Sequence, residues 1–207
     1  MDADQISPVG PITVREALPA EYDDVGRLMV EAYQQYQPVF PSKFWDGYNA
    51  ELRDVATRAE SAVILVAEEA GTIVGAIALH PPTDADSHWP NDWAGVRVLA
   101  VSPRHRRKGI ARALMDECVR RAREWGASLL ALNTAGYMSP AVSLYESLGF
   151  RRLPDHEHHT ASGNLLLAYG MDLTRGAWLQ RTSCRPDLSE PTHLRASPAP
   201  CPREGRP

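Results

Sequence analysis

Apolar residues recur along this chain with two different periods, and the switches between them mark out strands and helices. Ile12 to Leu18 reads as a first strand. From Pro19, Val25, Leu28, Met29, Ala32, Tyr33 and Tyr36 trace one face of a helix that should stop before Pro38. Trp45, Tyr48, Leu52, Val55 and Ala59 predict a second helix. Two alternating runs, Val63 to Glu68 and Thr72 to His80, flank Ala70-Gly71 and predict a hairpin. After a polar loop from Pro81 to Asn91, Trp93 to Val101 is apolar enough for a buried strand. Ser102 and Pro103 end it, because proline has no amide hydrogen for a sheet ladder.

Ile110, Leu114, Cys118, Ala122 and Trp125 then fall on one helical face, with Gly126 suited to the position just past the helix end. Asp116–Arg120 and Glu117–Arg121 are expected to pair one turn apart on the wet side. Ser128 to Thr134 reads as a further buried strand. Ser139-Pro140 reads as an N-cap followed by a first-turn proline, and Gly149 closes that short helix. Phe150 to Leu153 and Asn164 to Leu173 predict a last hairpin across the polar loop PDHEHHTASG. From Gly176 onward the chain is rich in Pro, Arg and Ser, has no periodicity, and is expected to be a disordered tail.

The 207 residues suit one domain with some excess, and 43% hydrophobic with 23% charged residues is ordinary globular composition. No apolar stretch approaches the ~20 residues a membrane span needs. The acidic start, MDADQISPVGP, has no apolar core of a secretion signal. Cys118, Cys184 and Cys201 form no metal-ligand spacing, and a reducing cytoplasm is the expected location. Cys118 falls on an apolar helix face and is not expected to be a nucleophile. HEHH, His156 to His159, lacks the helical spacing of a metal site and is expected to be a solvated loop tip.

One stretch departs from this plain background. Arg104, His105, Arg106, Arg107 and Lys108 lie between a strand and a helix, followed directly by Gly109. First-turn amides of a helix lack intrahelical partners and carry partial positive charge. Gly109 would let an anion approach the backbone, and the cations would add countercharge. The pattern fits a phosphate site and equally a solvated basic turn. A Walker loop is excluded because Lys108 precedes its glycine, and a dinucleotide fingerprint because two further glycines are missing. The net charge of −4 argues against a nucleic-acid surface, which usually belongs to a basic domain.

Arg106-Arg107-Lys108-Gly109-Ile110-Ala111 resembles the R/Q-x-x-G-x-G/A signature of the GNAT (Gcn5-related) N-acetyltransferases. Ala111 replaces the commoner glycine. LAVSP before it is similar to that family's fourth strand, and SPAVSLYESLGF, Ser139 to Phe150, to its second signature. The resemblance implies an α/β (α+β) fold: a single GNAT-type domain over residues 12–175, between an N-terminal extension (1–11) and the tail (176–207). Its sheet would be mixed, mostly antiparallel, of six to seven strands flanked by about four helices, with splayed parallel strands at the coenzyme site.

The resemblance also implies acetyl-CoA as cosubstrate. Leu99, Ala100 and Val101 would pair with its pantetheine arm, and Arg106, Arg107, Lys108, Gly109, Ile110, Ala111 and Arg112 would surround its diphosphate. Asn133 and Met138 would also be coenzyme-binding; Met138 stands where relatives often carry Asn, so a polar contact there is either lost or supplied by Asn133. Tyr145, from the Y-x-x-x-G-F pattern, would be the general acid for the leaving thiolate, a phenol of pKa ~10 being protonated at neutral pH. Many relatives carry a basic Glu on the fourth strand, and Gly95 occupies that position here. The base is left unassigned among Glu31, His80, Asp92, Asp155, His156, Glu157, His158 and His159.

Aromatic residues around the first two helices read as core, or in part as an acceptor pocket with Glu31, Tyr33, Tyr36 and Phe40, a region that borders the acceptor in relatives. Their surroundings hint at a cationic or aromatic acceptor. The expected activity is acetyl transfer to a small-molecule or peptide amine, without nucleic-acid or membrane partners; a homodimer is one option for assembly. The alternative is an acyl-CoA-binding sensor with little catalysis, motivated by Gly95.

Overall fold

A computed structural model describes residues 11–40, 42–82, 89–160 and 163–174. The expected tail from 176, and all but the last residue of the N-terminal extension, lie outside that range. Strands β1 (Ile12–Glu16), β2 (Val63–Glu69), β3 (Thr72–His80), β4 (Trp93–Val101), β5 (Leu129–Ala135), β6 (Arg151–Arg152) and β8 (Leu165–Asp172) join in the order β1-β2-β3-β4-β5-β8-β6. Strand β7 (His158–His159) pairs with β8. Every pairing is antiparallel except β4 with β5.

Helices α1 (Tyr22–Tyr33), α2 (Ser42–Arg53) and α3 (Val55–Ala59) pack on one face of this sheet, against Ile64, Val66, Ala76, Ala78 and Ala100. Helix α4 (Ile110–Glu124) packs closely on β3: a Cβ built on Gly75 would lie 2.7 Å from Ile110 Cγ2 and 3.1 Å from Leu114 Cδ1. Helix α5 (Ser139–Leu148) follows β5 and ends at Gly149, whose φ of +95° suits glycine.

The expected class and mixed sheet are observed, and the details differ for local reasons. The second expected helix is two, because Asp54 leaves helical geometry and its carboxylate accepts the Thr57 amide at 3.1 Å, capping α3. Pro38 lies inside a 3-10 turn, Gln34–Val39, that continues α1. Met138, not Ser139, is the N-cap of α5, so Pro140 is one place further in than expected. Arg120 pairs with Glu117 at 2.6 Å and with Glu124, not with Asp116, while the expected Glu117–Arg121 pair forms at 2.7 Å.

One irregularity shapes the site. Ala78 pairs with Arg97 and Ala76 with Ala100, so Val98 and Leu99 together oppose Ile77 in a bulge. Val98 takes φ +51°, unusual for a β-branched residue. The parallel ladder to β5 ends one residue earlier in this region, at Val96↔Leu132. Beyond it the two strands diverge, and β5 continues its pairing with β8 alone to Ala135.

Candidate active site

Where β4 and β5 part, an open cleft of about 690 Å³ runs between α1, the loop before α4, and α5. Val96, Val98, Leu99 and Val101 line it from β4, and Asn133 and Thr134 from β5. The β4 backbone beyond Val96 has no strand on the β5 side, so its groups on that edge are available to an extended ligand carrying amides.

At one end lies the N-terminus of α4. Ala113 N–H makes the first helical bond, to the Gly109 carbonyl at 2.9 Å, so the amides of Ile110, Ala111 and Arg112 have no intrahelical acceptor. Gly109 caps the helix at φ +84°, and nothing lies within 4 Å of a Cβ built there. Arg107 adopts φ +63°. Left-handed residues alternating with helical ones turn successive amides toward one point, a concavity suited to phosphate oxygens. This open, donor-rich end and the unpaired strand edge fit the diphosphate and pantetheine parts of acetyl-CoA.

The basic residues of the loop divide their work. Arg106 donates from Nη1 to Gln35 Oε1 (2.9 Å) and from Nη2 to the Ala32 carbonyl (3.0 Å), fastening the loop to the end of α1. Lys108 Nζ lies 3.3 Å from Glu69 Oε2, and His105 Nε2 lies 3.5 Å from the same oxygen. Arg112 donates to Ser147 Oγ at 3.3 Å. The Lys108 side chain is thus turned to the β2–β3 end and is not among the lining groups. Ala100 is buried beneath α1, and its side chain does not reach the cleft.

Tyr145 and Met138 line the cleft from α5 and its N-cap. Tyr145 is 5% exposed, and burial pushes its phenol pKa above the usual value, with smaller contributions from Tyr33 and Tyr36. Its hydroxyl therefore keeps its proton across the neutral range. Cys118 is fully buried and its thiol is likewise pushed up by burial, as expected for a core residue.

Of the expected acceptor residues, Tyr33 and Tyr36 line the cleft. Phe40 stacks on Tyr48 at 5.5 Å instead. Glu31 lies in an adjoining depression with Arg27 and Arg53, which shares Gln35, Pro103 and Arg106 with the cleft. Tyr137, which the letters mark as a turn residue, reaches across: its ring centroid is 5.8 Å from Tyr36 and 6.2 Å from Phe40. The turn from β5 to α5 thereby touches the segment after α1.

A side chain at Gly95, where the missing carboxylate would start, would sit tightly against Trp89. Its Cβ would meet Trp89 Cδ1 at 3.3 Å and Nε1 at 3.4 Å, and His80 Cβ at 3.7 Å. The other base candidates are engaged elsewhere or away from the cleft. Asp92 accepts from Ser128 Oγ at 2.5 Å, and Glu157 accepts from Arg152 at 2.6 Å. The His156 ring lies 4.9 Å from Trp93 and 5.7 Å from Trp89. His158 and His159 are exposed on β7, Asp155 belongs to a short 3-10 turn, and His80 is buried across from Gly95. Among the described residues that line the cleft, none is Asp or Glu.

The Acetyltransferase (GNAT) family profile matches residues 27–150, more than half of the chain. N-acetyltransferase 8 of Mus musculus is 37% identical over 89 residues, covering 42% of this chain and 37% of that protein. The chain therefore spans well under half the length of that relative. An N-acetyltransferase of Thermoplasma acidophilum, solved in complex with coenzyme A, superposes with a TM-score of 0.60 at 16% identity, over 76% of this chain and 98% of that one. The ribosomal-protein-S18-alanine N-acetyltransferase of Escherichia coli gives 0.59 at 18% identity, over 79% and 94%. The matched residues run through β4, α4 and α5, and the chain belongs to the GNAT acetyltransferase family.

Proposed function

We propose that this chain transfers an acetyl group from acetyl-CoA to the nitrogen of an amine by direct attack. The observation that carries the reading is the end of the parallel ladder at Val96↔Leu132, which frees one strand edge in the same cleft as the α4 N-terminus and Tyr145. Acetyl-CoA supplies an acetyl thioester whose carbonyl carbon accepts a nucleophile. The amides of Ile110, Ala111 and Arg112, with Arg107, hold the diphosphate. Backbone groups of Leu99 and Val101 align the pantetheine amides, and a strand N–H aimed at the carbonyl oxygen stabilises the charge that develops there.

As the new C–N bond forms and the C–S bond breaks, Tyr145 gives its proton to the departing sulfur and later regains one from solvent. The amine must lose a proton to complete the exchange. No carboxylate lines the cleft among the described residues, and His105 turns Nε2 to Glu69, so this proton leaves to water.

Purified protein, acetyl-CoA and a broad amine panel, followed by release of free thiol, test the reading. Turnover with at least one amine is expected. Tyr145→Phe should lower kcat by ~10²-fold, in the range of a lost general acid, with little change in KM for acetyl-CoA. Coenzyme binding without turnover on any amine would overturn the reading in favour of a sensor.

A further inference from the structure

Five aromatic rings beside the cleft touch one another in a closed circuit. Tyr33 meets Tyr36 with ring centroids 5.9 Å apart, and Tyr36 meets Tyr137 at 5.8 Å. Tyr137 meets Phe40 at 6.2 Å, Phe40 meets Tyr48 at 5.5 Å, and Tyr48 returns to Tyr33 at 5.9 Å. The rings come from the end of α1 and the segment after it, from α2, and from the turn between β5 and α5. Aromatic pairs gain most from tilted, edge-on or offset contact at about 4.5–7 Å, so each ring helps to hold the next. Tyr33 and Tyr36 are the members of this circuit that line the cleft, and the other three brace them from behind. A wall fixed in this way costs a ligand little ordering.

The wall stands at the reacting end of the cleft. Tyr145, the proposed proton donor, marks where the thioester must lie, and it lines the same cleft as Tyr33 and Tyr36. Besides burial, the groups that act on its hydroxyl are Tyr33, Tyr36 and the buried Cys118. The diphosphate belongs at the α4 N-terminus, so an amine that attacks the thioester comes within reach of these two rings.

The charges around the wall decide what it can take. Burial pushes the phenols of Tyr33 and Tyr36 up, so both stay neutral. Arg58 acts on Tyr33 and Tyr48, and Arg106 on Tyr36, each countering part of that rise. Glu51, which also acts on Tyr48, is exposed and does not line the cleft. A cationic group seated on these rings would face two guanidinium groups and, among the described lining residues, no carboxylate. A neutral aromatic group meets no such penalty and gains ring contact. The attacking nitrogen reacts as the free base, a form that neighbouring cations favour.

We infer that the acceptor is an arylalkylamine, whose aromatic group packs on Tyr33 and Tyr36 while its nitrogen faces the thioester beside Tyr145. This inference rests on the acetyltransferase reading above and names the substrate class of that site. Of the cationic and aromatic acceptors expected from the sequence, it selects the aromatic.

The test measures kcat/KM for phenylethylamine, cyclohexylethylamine, hexylamine and diaminohexane with wild type, Tyr36→Leu and Tyr36→Phe. Wild type should prefer phenylethylamine to cyclohexylethylamine by roughly three- to tenfold, the scale of an aromatic pair beyond its buried area. Diaminohexane should be the poorest of the four. Tyr36→Leu should lower the phenyl-to-cyclohexyl ratio by about twofold or more, and Tyr36→Phe should keep it, because the ring and not the hydroxyl makes the contact. Calorimetric binding of coenzyme A by both variants checks that the cleft is folded. A wild type without preference for the phenyl compound, or a preference that survives Tyr36→Leu, overturns the inference and leaves the acetyltransferase reading intact. Absence of turnover on every amine of the broad panel overturns both.

Discussion

At the scale of single residues, burial and pairing fix which protons can move. Tyr145 is neutral because a buried phenolate would be poorly solvated, and the same burial keeps Cys118 a thiol. Glu117 shows the opposite effect. Hydrogen bonds from Arg120, and then Arg121, outweigh its partial burial and hold its pKa at about 2. A carboxylate whose folded pKa is depressed stabilises the fold at every pH above its unfolded value of about 4.5. That contribution is lost as pH falls from about 4.5 towards 2. Urea midpoints measured from pH 6 to pH 2.5 should therefore fall more steeply for wild type than for Glu117→Gln. Equal slopes would contradict the assigned pairing. Spacing gave the Glu117–Arg121 pair but not Arg120's choice of Glu117 over Asp116, since Asp116 presents the same i,i+4 pattern to Arg120. The side chain's direction around the helix decides it.

At the scale of elements, the contact between β3 and α4 is set by an absent side chain. Gly75 allows Ile110 and Leu114 to approach within van der Waals range of the strand. Adding a methyl in Gly75→Ala would push the start of α4 outward, and overpacking of this kind costs about 1–3 kcal/mol. The expected outcome is a lower urea midpoint together with weaker coenzyme binding, because Ile110 follows directly on Gly109. Unchanged stability would show that the helix shifts freely. Strand β4 and helix α4 were legible in the sequence because both are long, apolar on a regular period and bounded by Pro103, Gly109 and Gly126. The bulge at Val98 was not, since a β-branched residue gives no hint of positive φ. Asp54 was misread for a related reason. The apolar spacing runs straight through it, and its cap to Thr57 depends on a side-chain bond that hydrophobic pattern does not report.

For the whole molecule, the sheet loses its pairing among the described residues where β4 leaves β5, and the proposed chemistry lies at that opening. The basic turn before a glycine, proposed to hold the diphosphate, was visible in the sequence. The use of its cations was not: Arg106 braces α1, and Lys108 meets Glu69 from the far end of a hairpin 39 residues earlier. Trp89 over Gly95 and the reach of Tyr137 to Tyr36 are likewise tertiary facts. The central claim is that backbone donors at the start of α4 grip a diphosphate while the free edge of β4 aligns the rest of the coenzyme. Calorimetric titration of the intact chain with coenzyme A and, separately, with pantetheine tests it most directly. The account predicts saturable binding of coenzyme A and an affinity for pantetheine lower by about a hundredfold, two charged hydrogen bonds or so. Equal affinities, or no heat from coenzyme A up to millimolar concentration, would contradict it.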